Sequence, residues 1–151
     1  MCCPNNGLHL EVLKVVSVRI KVRYSDTDAM GITHHSNYFR FFEVARTEWL
    51  KEKGHDYRTW EKKGLNLPLI AASADFKRPT RFDDEVEIKV RVIREGIRIH
   101  FNYDVHMLDA GPHGTVTPGT VVASGRTMHV VTDLTMKPIR LPKELENIFD
   151  E

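Results

Sequence analysis

The sequence predicts an α+β fold in which one long helix packs against the apolar side of a five-stranded antiparallel sheet. Three observations lead to this prediction: a strand pattern near the N-terminus, one long helical pattern after it, and four further strand patterns towards the C-terminus. Because helix and strands are segregated along the chain, a doubly wound α/β fold is excluded. The 151 residues predict one domain, 1–151, with an N-terminal extension at 1–16 and a C-terminal tail at 133–151.

The first strand is predicted from strict alternation over residues 18–24. The apolar positions are Val18, Ile20, Val22 and Tyr24, and they alternate with Arg19, Lys21 and Arg23. A period of two with one apolar face indicates a strand that is buried on one side only.

The long helix is predicted over YFRFFEVARTEWLKEKG, residues 38–54, where the period changes from that of a strand to that of a helix. Its apolar face consists of Tyr38, Phe41, Phe42, Ala45 and Trp49. We expect Ser36 or Asn37 to cap its start and Gly54 to end it. The result is a helix of about four turns with one aromatic stripe facing the core.

The remaining patterns complete the sheet. In order they are a short helix from Tyr57 to Lys63, a strand at 69–77, a hairpin of strands 86–94 and 97–108, and a last strand at 120–132. The hairpin, which turns at Glu95-Gly96, gives the strongest strand signal in the chain. An open sheet leaves its edge strands unpaired, so we expect an oligomer that pairs or covers them.

Composition and charge narrow the classes of partner. A net charge of +1 gives no reason to expect nucleic acid or an anionic membrane as the main partner. The only cysteines, Cys2 and Cys3, are adjacent and cannot form a disulfide framework. No apolar run approaches the roughly 18 residues of a membrane span, and the N-terminus lacks a secretory pattern. We therefore expect a cytoplasmic protein that does not insert into membranes.

The stretch YSDTDAMGITHHSNY, residues 24–38, concentrates polar and chemically active side chains between the first strand and the long helix. A metal site could use Asp26, Asp28, His34 and His35 as ligands. Adjacent histidines in a loop usually diverge, however, and no recognised metal-ligand spacing supports them, so no metal is expected. A serine hydrolase is disfavoured as well, because no G-x-S-x-G elbow is present.

A carboxylate set against the N-terminus of the helix is the third interpretation of this stretch. Asp28 follows a strand, Gly31 permits a close backbone approach, and the helix begins near His35 to Asn37. The unpaired N–H groups of a first helical turn can bind an oxyanion, and a carboxylate facing them can attack a carbonyl or activate water. The alternative is that the aspartates only cap the turn. From the residues alone the two interpretations are even for Asp28, whereas capping is favoured for Asp26.

Two motifs carry a family resemblance. The run Y-x-D-T-D-x-x-G-(x)3-H-x-x-Y, followed by F-E-x-A-R at 42–46, resembles the opening of the 4-hydroxybenzoyl-CoA thioesterase family of hotdog-fold proteins. It is most similar to the branch of small bacterial acyl-CoA thioesterases that includes the Tol-Pal-associated enzymes. The resemblance continues through ADFKRPTRFDDEVEI (74–88) and ASGRTMHVV (123–131) to KPIRLPKEL, and so spans 18–145. It implies the hotdog fold, a long central helix wrapped by an antiparallel sheet.

The resemblance also implies roles for individual residues. Asp28 corresponds to the catalytic carboxylate, and His35 to the position whose backbone N–H polarises the thioester carbonyl. Tyr38 corresponds to a tyrosine that packs near the acyl group. Glu43 and Arg46 correspond to a helix pair that we interpret as structural, since residues at i and i+3 can form an ion pair.

The implied activity is hydrolysis of an acyl-CoA to a free acid and coenzyme A, with Asp28 acting as nucleophile or as general base. No cofactor is expected apart from the coenzyme A of the substrate. The expected substrate-binding residues are Tyr24, Gly31, His34 and Tyr38, with Lys77, Arg78 and Arg81 near the CoA phosphates, although a merely solvated basic face explains these three equally well. A homodimer that assembles to a homotetramer is expected. The alternative is a non-catalytic hotdog protein that binds acyl-CoA or another ligand.

Overall fold

The computed structural model describes residues 15–150 and has the predicted α+β architecture. The strands are β1 (Val16–Lys21), β2 (Leu69–Phe76), β3 (Glu85–Glu95), β4 (Arg98–Asp109) and β5 (Val121–Val130). The helices are α1 (His35–Glu52), α2 (Tyr57–Lys62) and α3 (Lys143–Glu146), and a short 3₁₀ turn spans Tyr24–Asp26. The strands form one antiparallel sheet in the order β1-β3-β4-β5-β2. The hotdog arrangement of one long helix against a five-stranded sheet is confirmed.

The aromatic stripe of α1 forms the centre of the core, as the helical period predicted. Phe42 is fully buried, and its ring stacks on Tyr103 of β4 with centroids 4.4 Å apart. Trp49 lies about two turns further along the same face of α1, and its ring packs edge to face on Phe101 of β4. On β5 the residue opposite Tyr103 is Gly125, and a Cβ there would overlap the ring of Phe42. The absence of a side chain at this position therefore lets the helix approach the sheet.

The sheet follows the predicted hairpin closely. Strands β3 and β4 pair along their whole length, with Val90 opposite Tyr103, and Gly96 in the turn has a φ of +62° that favours glycine. The inward residues of both strands are buried: Val86, Ile88, Val90, Ile99, Phe101, Tyr103, Val105 and Met107. The alternation of the sequence thus sets which face of the hairpin meets α1.

The C-terminal tail belongs to the core, which its prolines did not suggest. Leu145, Ile148 and Phe149 are buried, at the i, i+3, i+4 spacing of one helical face. The ring of Phe149 stacks on Trp49 with centroids 5.4 Å apart. Asp150 then closes this end through a bidentate contact with Arg94 at 2.8 and 2.6 Å.

Several predicted boundaries were wrong. The first strand ends at Lys21, and Tyr24 lies in the 3₁₀ turn with 78% of its surface exposed, so it is not part of the buried strand face. Val16 already pairs with Val90, which places it in the sheet and not in an N-terminal extension. Residues 1–14, which include both cysteines, lie outside the described part.

Within residues 15–150 no helix is long and apolar enough to cross a membrane.

Candidate active site

The loop between β1 and α1 folds back on itself as a small antiparallel ladder. Thr27 and Thr33 form an isolated bridge, the N–H of Asp28 donates to the carbonyl of Ile32 at 2.9 Å, and the N–H of His34 donates to the carbonyl of Asp26 at 2.8 Å. At the tip, Gly31 closes a tight turn by donating its N–H to the carbonyl of Asp28 at 2.9 Å, with a φ of +74°. This ladder ties the aspartates to the start of α1.

Asp26 shapes the turn, as predicted. Its carboxylate is 3% exposed and accepts the backbone N–H of Arg23 at 2.9 Å and two guanidinium N–H groups at 3.2 and 3.0 Å. Burial alone raises the pKa of this carboxyl, but the hydrogen bonds and charge of Arg23 outweigh burial and hold the pKa below its usual range. A carboxylate engaged in this way is a structural anchor.

Asp28 takes part in the turn with one of its two carboxylate oxygens. Its Oδ1 accepts the N–H of Met30 at 2.8 Å, which is an Asx-type turn. Within the described chain, Oδ2 accepts no hydrogen bond, and the side chain is only half-buried. One carboxylate oxygen is therefore held by the turn, while the other is open to a substrate.

The N-terminus of α1 leaves one backbone donor free. His34, and not the predicted Ser36 or Asn37, is the cap, because its Nδ1 accepts the N–H of Ser36 at 3.2 Å. The N–H of Asn37 donates to the carbonyl of His34 at 2.9 Å. Among the hydrogen bonds of residues 15–150, none uses the N–H of His35, the first residue of the helix. This N–H, at the positive end of an 18-residue helix, is suited to an oxyanion.

A buried set of polar residues that was not predicted from the sequence supports this helix start. Thr33, Thr80 and Tyr38 join their hydroxyls: the two threonine Oγ1 atoms lie 2.6 Å apart and the Tyr38 hydroxyl lies 2.9 Å from Thr80 Oγ1. Asn37 points inward and donates its Nδ2 to the carbonyl of Asp26 at 2.8 Å. Threonines in loops are usually solvated, so no local pattern could have singled these out.

The predicted substrate-binding residues divide into two groups. Gly31 and His34 lie in the ladder and its cap, and Tyr38 lies one turn into α1 with its hydroxyl bound to Thr80. Tyr24 is displaced from this group, since it packs edge to face on Phe82 at 5.7 Å.

One aromatic neighbour was missed. Phe76, at the end of β2, is half exposed and lies 5.2 Å from the ring of Tyr38 and 6.3 Å from that of His35. Phe76 stands two residues after Ala74, which packs against the core, so the two side chains share one face of β2.

The three predicted basic residues do not act together. The guanidinium of Arg81 lies 3.5 Å from the carbonyl of Gly31, beside the turn that carries Asp28. Lys77 and Arg78 are exposed, and their backbone N–H groups both donate to the carbonyl of Val122. Only Arg81 is thus brought to the loop.

Arg46 does not pair with Glu43 as expected. Its guanidinium enters the core instead and donates to the hydroxyls of Tyr57 at 2.9 Å and Tyr103 at 3.3 Å, while Glu43 is exposed. Both tyrosines are distant in sequence, so the helix spacing alone pointed to the wrong partner.

The contacts of Arg46 continue through the sheet as a buried network. The Tyr103 hydroxyl lies 2.8 Å from Thr127 Oγ1, which lies 3.0 Å from Nε2 of His129, and Nδ1 of His129 lies 3.2 Å from the carbonyl of Leu67. Burial, with the charge of Arg46, lowers the pKa of His129 to about 4. The ring is therefore neutral, and it belongs to the structural interior and not to the loop site.

Two further observations describe the surroundings. In residues 15–150 no three histidine, cysteine, aspartate or glutamate side chains are grouped as metal ligands. A groove of about 1010 Å³ in the described chain is bordered by Trp49, Asn102, Arg126 and Phe149, and no residue of the 24–38 loop lines it. This groove is therefore not part of the loop site.

Comparison with known proteins gives consistent matches along most of the chain. A family model described as the thioesterase-like superfamily matches residues 22–149. A putative esterase of Aquifex aeolicus is 33% identical over 134 residues, which cover 88% of this chain and 96% of that protein. An acyl-CoA thioesterase of Haemophilus influenzae, YbgC, is 30% identical over 137 residues, covering 88% and 93%. A DHNA-CoA thioesterase structure from Staphylococcus aureus superposes with a TM-score of 0.77 at 27% identity, covering 88% and 85%.

Proposed function

Because the chain belongs to the thioesterase-like superfamily, we propose that it hydrolyses an acyl-CoA thioester to a free acid and coenzyme A. The proposal has support from relatives that are named acyl-CoA thioesterases. The observation that carries it for this chain is that one short loop presents both a free carboxylate oxygen and a free backbone N–H. Oδ2 of Asp28 and the N–H of His35 are without hydrogen bonds in the described residues, and the ladder from Asp26 to His34 joins them.

The chemistry assigns one role to each group. The thioester carbonyl oxygen accepts the N–H of His35, which polarises the carbonyl and stabilises the oxyanion of the tetrahedral intermediate. Asp28 then acts in one of two ways. It attacks the carbonyl carbon, expels the CoA thiolate and forms a mixed anhydride that water cleaves; or it takes a proton from water while that water attacks. The thiolate is a good leaving group, so one carboxylate and one oxyanion donor suffice. No cofactor takes part.

The substrate is proposed to lie with its acyl group against the aromatic side of the loop, where Phe76 and Tyr38 meet. Arg81, which lies beside the Gly31 turn, is proposed to meet the CoA phosphates, with the exposed Lys77 and Arg78 as further candidates. The Tol-Pal-associated branch and a cytoplasmic location remain predictions.

We further propose a homodimer, assembling to a homotetramer, with the pantetheine arm between subunits. Within residues 15–150, edge strand β2 pairs with β5 alone, and three of its apolar side chains are about half exposed: Leu69, Ile70 and Phe76. An exposed apolar edge of this kind is a surface that a second strand can extend. We propose that a neighbouring subunit covers the loop site and completes the cleft for the pantetheine arm.

The test is a thiol-release assay across short, long, branched and aromatic acyl-CoAs, with the acid product quantified beside the thiol. We expect equal amounts of thiol and acid from at least one substrate class with the wild-type protein. Exhaustive chelation should leave this rate unchanged. Tight acyl-CoA binding with no thiol release from any substrate would instead identify the non-catalytic binding protein.

A further inference from the structure

We propose that Thr80 is a positioning residue for the reaction, holding the oxyanion donor and the catalytic loop in register. This inference rests on the proposed roles of Asp28 and His35. Thr80 lies in the connection between β2 and β3, far in sequence from the loop, and is 1% exposed. Nothing in its local sequence marks it as functional; its role follows from the groups that its atoms contact.

Thr80 contacts a residue before His35 and a residue after it, and so holds the chain on both sides of the free N–H. Its carbonyl accepts the N–H of Thr33 at 2.8 Å, two residues before His35, and its Oγ1 lies 2.6 Å from that of Thr33. The same Oγ1 lies 2.9 Å from the hydroxyl of Tyr38, three residues after His35. One side chain thus joins the returning limb of the loop to the first turn of α1.

The protons of this network have a consistent direction. Thr33 Oγ1 donates to the carbonyl of Thr80 at 3.3 Å, so the Thr80 hydroxyl donates to Thr33 and the Tyr38 hydroxyl donates to Thr80. Every hydroxyl proton then has an acceptor within the network. Thr33 and Tyr38 are 5% and 4% exposed, so water does not readily replace a lost partner. Removing the Thr80 hydroxyl leaves both of them short of a hydrogen bond.

The residue after Thr80 extends the hold to the turn that carries Asp28. Arg81 reaches the carbonyl of Gly31 at 3.5 Å, and its backbone N–H donates to Oδ2 of the fully buried Asp84 at 2.8 Å. The segment 80–81 is therefore held by Asp84. It contacts both the turn that carries Asp28 and the start of α1. Because rates depend steeply on the placement of the reacting groups, a small shift here reduces turnover more than substrate binding.

The experiment compares Thr80→Val with a matched control, Thr127→Val. Both changes remove a buried hydroxyl that links two partners and keep the side-chain shape, but Thr127 lies in the Tyr103–His129 network away from the loop. For Thr80→Val we expect kcat to fall about 10- to 100-fold with KM within about twofold of wild type. For Thr127→Val we expect a loss of thermal stability with wild-type kcat. Thr80→Ser, which keeps the hydroxyl, should restore most of the turnover.

Unchanged kcat in Thr80→Val, an equal kcat loss in Thr127→Val, or failure of Thr80→Ser to restore turnover would each overturn the proposal. If Thr80→Val is not recovered folded, Thr33→Val, which removes the hydroxyl that pairs with Thr80 Oγ1, replaces it in the comparison. A kcat loss at constant KM again supports the role of Thr80, and unchanged kcat refutes it. Asp28→Asn and the wild-type protein serve to distinguish failure of the Thr80 proposal from failure of the proposals on which it rests. Absence of thiol release by the wild-type protein refutes the proposed function, and wild-type turnover in Asp28→Asn refutes the role of Asp28. An inactive Asp28→Asn with an unaffected Thr80→Val refutes only the role of Thr80.

Discussion

Lowering the pH should destabilise the protein through His129. The buried network runs in one direction: Arg46 donates to Tyr103, Tyr103 to Thr127, and Thr127 to Nε2 of His129, whose Nδ1–H donates to the carbonyl of Leu67. A second proton on the ring would have to sit on Nε2, where the Thr127 hydroxyl already donates. Burial and the nearby Arg46 cation also oppose the added charge, which lowers the pKa of His129 from 6.5 to about 4.

The magnitude follows from linkage. A depressed pKa contributes stability that is fully present above the pKa of 6.5 in the unfolded chain and is lost as the pH falls towards about 4. Between pH 7 and pH 5 the unfolded chain takes up most of one proton and the folded chain almost none. The free energy of unfolding should therefore decrease by about 2 kcal/mol from this residue alone.

Urea unfolding at pH 7 and pH 5 measures this effect when wild type is compared with His129→Gln. The variant cannot titrate, so its loss of stability between the two pH values should be smaller by about 2 kcal/mol. His113→Gln, at an exposed loop position, is the matched control and should behave as wild type. Equal pH dependence in wild type and His129→Gln would refute the assignment of a neutral buried ring.

Two further predictions concern stability. Asp26→Asn should reduce the free energy of unfolding by about 1–2 kcal/mol at neutral pH, because Arg23 loses its carboxylate partner. Since the pKa of Asp26 is lowered in the folded chain, this difference is fully present above the ordinary carboxyl pKa. It should be lost as the pH falls through the lowered pKa of the folded chain, and a difference that persists undiminished in strong acid would contradict it. Gly125→Ala should destabilise the fold by about 1–3 kcal/mol, because the new Cβ overlaps the Phe42 ring. A double-mutant cycle with Phe42→Leu should show part of that loss recovered, and strict additivity of the two changes would rule out the steric clash.

The parts of the fold that repeat locally could be predicted from the sequence. The stripe from Tyr38 to Trp49 and the alternation in β3 and β4 each bury one face of a regular element, so periodicity alone identifies them. The tail at 133–151 was underestimated for the opposite reason. Its apolar residues acquire meaning only from the distant Trp49 against which Phe149 packs.

The site shows the same division between local and long-range information. The loop chemistry around Asp28 and His35 could be proposed because it lies within one short stretch of sequence. The anchoring role of Asp26 could be predicted too, because its partner Arg23 lies three residues away. The support of the helix start could not, because it depends on Thr80, a contact across 47 residues. The partners of Arg46 were missed for that reason as well, since Tyr57 and Tyr103 approach it only in the folded chain.

The most direct measurement of the central claim is kcat for acyl-CoA hydrolysis in Asp28→Asn and Asp26→Asn, assayed side by side near neutral pH with the best substrate of the wild-type protein. The two changes are chemically identical and lie two residues apart. Asp28→Asn should fold with wild-type stability and lose at least about 100-fold in kcat, whereas Asp26→Asn should lose stability and keep most of its turnover. Near wild-type turnover in Asp28→Asn, or a deeper loss in Asp26→Asn than in Asp28→Asn, would contradict the assignment of Asp28 as the catalytic carboxylate.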